Sequence, residues 1–206
     1  VHSTVAARLG GQSRTFVGFG TGFADFDSDG WEDLFIINGN VYYHRGIAPF
    51  QQPPFLLRNH LGQFFEDETE QGGPWWSLPH PGRGAAVGDL DNDGALDLVV
   101  VQQDKPATIL RNRKTPSNWI RLRLIGKTSE PFAVGASVRL EDEGRTLVRF
   151  VRGGAGYLSQ FDRRIVLPVS DTRNSVDITV QWLGGQEETF SNLKTQQTND
   201  LIEGTH

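Results

Sequence analysis

The sequence predicts an all-β protein: two four-stranded β-propeller-type blades, a fragment of a larger propeller, followed by a small β-sandwich-like domain. Three observations carry this. Two nine-residue stretches, 25–33 and 89–97, share the pattern D-x-D-x-D-G-x-x-D. Each lies in a unit that recurs after 64 residues, a period at which propellers and arrays are expected. Short apolar runs alternate with turns rich in the chain's 24 glycines, and no stretch reads as an amphipathic helix.

The first unit runs F-V-G-F-G-T-G-F-A-D (16–25), the acidic loop, D-L-F-I-I-N-G (33–39) and F-L-L-R-N (55–59), with Q-F-F-E-D (63–67) as a fourth strand. The second runs G-R-G-A-A-V-G-D (82–89), its loop, D-L-V-V-V-Q (97–102) and T-I-L-R-N (108–112). Arg58-Asn59 and Arg111-Asn112 fall at equivalent places. Strand, turn, strand, connection, strand is the make-up of a propeller blade. Two blades cannot close a propeller, so further blades are expected upstream, and strands such as 98–101 are expected to be partly uncovered. Residues 1–115 are assigned to the blades and 116–206 to the second domain.

That second domain begins where the pattern changes near Pro116. Ile120, Leu122 and Leu124 alternate with Arg121 and Arg123 as in a half-buried strand. Further strands are expected at 136–140 and 146–151, turning near Glu143-Gly144. Two more fall at 176–182 and 187–190, turning at Gly184-Gly185.

Chemistry enters through the acidic loops. Four carboxylates in one tight turn repel and raise one another's pKa. A hard divalent cation removes that conflict, and calcium takes six to eight oxygen ligands from such a turn. In the first loop Asp25, Asp27, Asp29, the Trp31 carbonyl and a closing Asp33 are the candidate ligands. In the second they are Asp89, Asp91, Asp93, the Ala95 carbonyl and Asp97. Gly30 and Gly94 stand where the chain reverses, where positive φ costs glycine little. An EF-hand needs a glutamate at its twelfth loop position and flanking helices. Here Ile36 and Val100 hold that position and β-like runs follow, so two calcium sites between strands are expected.

The formal charge of −5, with no basic cluster interleaved with aromatics, argues against nucleic acid. Two bound calcium ions would leave about −1, so the acidity reads as ligand charge. There is no cysteine to staple the fold and no methionine, which points to a processed chain or a piece of a longer one. No apolar run is long enough to span a membrane, and a targeting segment, if used, would lie upstream. Millimolar calcium and loops of modest affinity belong outside cells, so an extracellular, secreted protein is expected.

No catalytic constellation stands out. His2, His44, His60, His80 and His206 are scattered, and Ser159 is not in a G-x-S-x-G elbow. The glycines of 152–157 read better as sites of a bulge or close backbone approach inside the sandwich than as a phosphate cradle, which needs a following helix. The longest irregular stretches, 39–54 and 72–82, carry Tyr42, Tyr43, Trp75 and Trp76. These are candidate contacts for a protein or glycan partner, the alternative being packing between blades. Only one of two adjacent tryptophans can face inward from extended chain.

The repeats resemble FG-GAP/VCBS blades, through G-F-A-D-F-D-S-D-G-W-E-D-L and A-V-G-D-L-D-N-D-G-A-L-D-L. The C-terminal part resembles the UnbV/ASPIC domain, through N-W-I-R-L-R-L-I-G (118–126), V-G-A-S-V-R-L (134–140) and R-G-G-A-G-Y-L-S-Q (152–160). Departures are Val166-Leu167-Pro168-Val169 for an F-G-L-G stretch and Trp182-Leu183-Gly184-Gly185 for a W-P-x-G turn. The resemblance implies a secreted, calcium-binding repeat protein. The function read from all of this is non-catalytic recognition or adhesion. The alternative is a carbohydrate-binding propeller domain, or an accessory domain of a secreted enzyme.

Overall fold

The computed structural model describes residues 4–9, 11, 14–41 and 49–205. Tyr42 and Tyr43 lie outside them. Within them the chain is all-β, as expected, with no α-helix and one short 3-10 turn at Thr69–Gly72. No helix among these residues is long and apolar enough to cross a membrane.

Strands β1 (Gly18–Ala24), β2 (Asp33–Asn38), β3 (Phe55–His60) and β4 (Phe64–Asp67) form one antiparallel sheet in chain order. The β3–β4 hairpin closes because Leu61 and Gly62 both take positive φ, 53° and 73°, the turn that matches strand twist. Strands β5 (Gly82–Gly88), β6 (Asp97–Gln102) and β7 (Lys105–Leu110) form the second sheet, which has three strands where the repeat implies four. The reason is local. Three residues after Asn59 stands Gly62, but three after Asn112 stands Thr115, followed by Pro116. A β-branched residue and a proline do not form that hairpin, and the chain passes into the next domain.

The two sheets meet through glycine. A Cβ on Gly20 would lie 2.7 Å from the Arg83 carbonyl, and one on Gly82 would lie 2.3 Å from Ile37. Ala24, Phe35, Ile37, Trp76, Ala85, Val87, Leu98 and Val100 share one core there. Leu98 and Val100 are therefore buried, not uncovered as expected. Phe161, from the C-terminal domain, completes this core. Its ring fills the place a Gly22 side chain would take: a Cβ on Gly22 would lie only 2.5 Å from it. The same ring lies 6.0 Å from that of Phe35.

The C-terminal domain packs two sheets face to face. One holds β10 (Arg145–Phe150), β9 (Ser137–Asp142), β12 (Ser175–Gln181) and β13 (Glu187–Lys194). The other holds β11 (Ile165–Pro168), β8 (Trp119–Ile125) and β14 (Thr198–Ile202), with β14 parallel to β8. Ile120, Leu122, Leu140, Leu167, Ile178, Trp182 and Leu201 fill the space between them. Both expected turns form, with Glu143 and Gly144 at φ 47° and 77°, and Gly184 and Gly185 at 112° and 93°. The Val166–Pro168 departure forms part of edge strand β11, where a proline costs no ladder bond.

Candidate metal centres

Both acidic loops share one hydrogen-bond pattern, which explains the motif position by position. Asp25 accepts from Asp29 N at 3.1 Å and Gly30 N at 2.9 Å. Asp89 accepts from Asp93 N and Gly94 N at the same two distances. Asp29 and Asp93 accept from the backbone two residues on, Trp31 N and Ala95 N. The closing Asp33 accepts from Phe26 N and Asn59 N, and Asp97 from Leu90 N and Asn112 N. Gly30 and Gly94 take φ of 93° and 90°, as expected of the reversing residue. Ser28 and Asn92 also take positive φ, 60° and 64°, a second left-handed position that the motif alone does not mark.

This scaffold gathers carboxylates. Side-chain oxygens of Asp25, Asp27 and Asp29 lie within 4.8 Å of one another, as do those of Asp89, Asp91 and Asp97. Asp33 and Asp93 stand beside these groups, with the hydrogen bonds just given. Asp27 Oδ1 is buried and has no hydrogen-bond partner among the described residues, a costly state for a charged acceptor. Burial pushes the Asp25 and Asp33 carboxyls up to about 7. For Asp25 the rise survives the nearby Arg149 guanidinium, 3.6 Å away. Oxygen donors in this number, with one orphaned, fit a hard cation.

The repeated Arg-Asn pairs have roles that the repeat signals but leaves unassigned. Arg58 lies 2.7 Å from Asp27 and 3.6 Å from Asp29. Arg111 lies 2.6 Å from Asp91 and 3.3 Å from Asp93. Asn59 and Asn112 donate their backbone N–H to the closing aspartates, and the Asn112 side chain reaches across to the Phe26 carbonyl at 2.7 Å.

A second set of partners comes from the C-terminal domain, and the sequence pattern misses it. Arg121 does not face solvent as its alternation with Leu122 implies: it is 3% exposed and pairs with Asp89, Asn92 and Thr198. Its strand face is covered by the second loop, which packs there, with Trp119 against Gly94. Arg164 donates to the Asp89 carbonyl at 3.1 Å. On the first loop, Arg145 donates to the Asp29 carbonyl at 2.8 Å and Arg149 to the Gly30 carbonyl at 3.0 Å. Arginines from both sheets of the C-terminal domain thus hold the two loops, through their carbonyls and through Asp25 and Asp89. The glycine-rich 152–160 stretch lies near, with Gly156 against the Thr21 and Ala85 carbonyls and Tyr157 against Phe19. Close backbone approach is the glycine role expected, made by Gly156 toward the first domain and by Gly153 against Val134 within the C-terminal domain.

The candidate ligand-contact tryptophans separate. Trp76 is buried in the shared core, which removes it from the candidate surface. Trp75 is half-buried, stacked on His80 with centroids 4.1 Å apart. The two long loops are tied together by paired hydrogen bonds between Gln52 and His80.

Residues 126–206 match the ASPIC and UnbV family, and residues 25–100 match the FG-GAP-like repeat. Cartilage acidic protein 1 of Mus musculus is 29% identical over 194 residues, covering 87% of this chain and 27% of that protein. The Homo sapiens protein gives the same identity and coverage. The Xenopus tropicalis protein is 31% identical over 150 residues, covering 68% of this chain and 21% of that protein. The chain spans about a quarter of the length of these relatives. Neither family description nor the relatives' name denotes an enzyme. The chain thus carries a match to the FG-GAP-like repeat followed, in sequence order, by a match to the ASPIC and UnbV family, the two together spanning most of its length.

Proposed function

We propose that this chain is an extracellular, non-catalytic recognition module of propeller type whose blades are set by two calcium ions. The observation that carries the reading is the pair of matching loops, each gathering aspartate oxygens within 4.8 Å, one with the buried and unpartnered Asp27 Oδ1. Asp25, Asp27, Asp29, the Trp31 carbonyl and Asp33 would hold one ion. Asp89, Asp91, Asp93, the Ala95 carbonyl and Asp97 would hold the other. Bound calcium supplies charge compensation to carboxylates that burial otherwise drives toward protonation. Its binding energy then appears as folding energy. The name of the relatives, cartilage acidic protein 1, supports an extracellular setting.

Recognition would fall to the loops above the blades, where half-buried Trp75 presents an aromatic face. A protein partner is the first candidate, and a glycan stacking on that ring the second. Isothermal titration with calcium tests the core of the reading. Two sites are expected, and Asp27→Ala and Asp91→Ala should each remove one while sparing the other. Absence of any binding at extracellular calcium concentrations would overturn it.

A further inference from the structure

The acidic loops belong to a repeat and the C-terminal domain does not, yet that domain treats both loops alike. Arg149 of β10 lies 3.6 Å from Asp25, and Arg121 of β8 pairs with Asp89. Asp25 and Asp89 are the first aspartates of their loops. Two strands from different sheets thus bring a guanidinium to the same position of both ion sites. We propose that Arg149 and Arg121 are specificity-determining residues of those sites, completing each loop to a net charge that one divalent cation balances. The inference rests on the ion-site reading above and adds to it a part for the C-terminal domain in the choice of ion.

The charges point this way. Each loop carries four aspartates. Its own blade supplies one arginine to them: Arg58, beside Asp27 and Asp29, or Arg111, beside Asp91 and Asp93. The C-terminal domain supplies a second. Four negative charges less two positive ones leave −2 on each loop, the charge that a divalent ion neutralises. Without the C-terminal arginine the loop would stand at −3, better matched to a trivalent ion. Other charges near the loops have partners of their own. Glu32 lies 3.4 Å from Arg152 and 4.0 Å from Arg149, Glu68 lies 3.7 Å from Arg58, and Arg164 pairs with Asp162. Arg145 is exposed and reaches only the Asp29 carbonyl.

Burial decides which arginines carry weight. The Arg121 side chain is 4% exposed and that of Arg149 14%, against 37% for Arg58 and 63% for Arg111. A charge held out of water acts on a neighbouring ion with little screening, whereas exposed charges are damped by water and salt. A buried guanidinium is costly unless paired, and here each partner is a candidate ligand. Calcium affinity in such loops is tuned by ligand charge and by rigidity. These arginines reduce the first and add to the second, Arg149 by donating to the Gly30 carbonyl and Arg121 by donating to Asn92 Oδ1.

Terbium luminescence tests this. Trp31 in the first loop and Trp119, packed against Gly94 of the second, stand ready to sensitise a bound lanthanide. Displacement of terbium by calcium gives the ratio of the two affinities. The full chain carrying Asp91→Ala isolates the first loop. In that background Arg149→Gln should shift the ratio toward terbium by about threefold or more, the effect of one unit charge at contact range even with water-like screening. Arg149→Lys keeps the charge and should leave the ratio near the parent's. So should Arg139→Gln, at an exposed arginine whose partners are Glu141 and Glu187. With Asp27→Ala isolating the second loop, Arg121→Gln should repeat the shift there. Arg121 is buried, so the Arg149 arm decides the matter if that variant does not fold. An arginine that merely pins the domains together would change both affinities by one factor. An unmoved ratio, or one moved toward calcium, therefore overturns the proposal while two titrating sites leave the ion-site reading standing. If neither ion binds the parent chain, both readings fall.

Discussion

Phe161→Ala should be among the most damaging single truncations outside the strands themselves. Phe161 is contributed by the C-terminal domain, yet it is 8% exposed in the core of the first. Its ring occupies the space that Gly22 leaves by lacking a Cβ, and it packs on Phe35 and near Gly156. Nothing adjacent can refill the gap cheaply, since Gly22 carries no side chain and the neighbouring strands are fixed by their ladders. Phe→Ala at such a site costs about 3–5 kcal/mol. At about 2–4 °C per kcal/mol for a chain of this size, melting should fall by about 6–20 °C. The same change removes the main apolar contact across the domains, so the calorimetric transition should broaden or split. Leu158→Ala is the control: it lies in the same loop but is 89% exposed, and should move stability by less than about 0.5 kcal/mol. Equal effects of the two variants, or a Phe161→Ala protein as stable as its parent, would refute the reasoning that the loop plugs the first domain's core.

Trp76→Ala should destabilise by a similar few kcal/mol, because the ring is core, about 3–5 by the same rule. Trp75→Ala should cost less, since that ring is half-buried against His80; equal melting losses would contradict the separation. In chelator, the Asp25 and Asp33 carboxyls bind protons more tightly folded, near 7, than unfolded, near 3.8. Stability should therefore fall as pH rises from about 4 to 7 without cation, by linkage, and calcium should flatten that fall; a rise with pH in chelator would contradict it. Glu203 shows the opposite sign. Its carboxylate accepts from Ser129 N and from the Thr128 hydroxyl, with Lys127 N and Thr128 N beside them, and is held down to about 2. Its contribution should be present above about 4.5 and be lost as pH falls toward 2, a loss that Glu203→Gln should abolish.

The all-β class, the two units and the acidic loops are legible because each has a local cause. Period-two alternation marks strands, and a fixed spacing of aspartates and glycine marks the loop. What the sequence does not disclose is long-range. Arg121 reads as a solvent-facing residue by alternation, since no local signal says that the second loop covers that face. Phe161 lies in a glycine-rich stretch with no periodicity, and nothing in the pattern says which domain its ring enters. Trp75 and Trp76 diverge, yet they stand in a turn, with Trp76 N bonded to the Gly73 carbonyl, and not in extended chain, so packing decides which one turns inward. The missing fourth strand of the second unit has a local trace, in Thr115 and Pro116 where the first unit has a glycine turn. The Arg-Asn repeat is visible in the sequence, and its meaning emerges only when Asp33 and Asp97 are seen to accept from those asparagines' backbone.

The central claim is that two calcium ions complete the acidic loops and stabilise the blades. Thermal melting in excess chelator, and then at free calcium a hundred times the dissociation constant, tests it most directly. Linkage predicts about 2.7 kcal/mol of added stability per site, a melting rise that calcium gives and magnesium gives less of. Asp27→Ala and Asp91→Ala should each forfeit about half of that gain. Superimposable melting curves with chelator and with calcium would contradict the account.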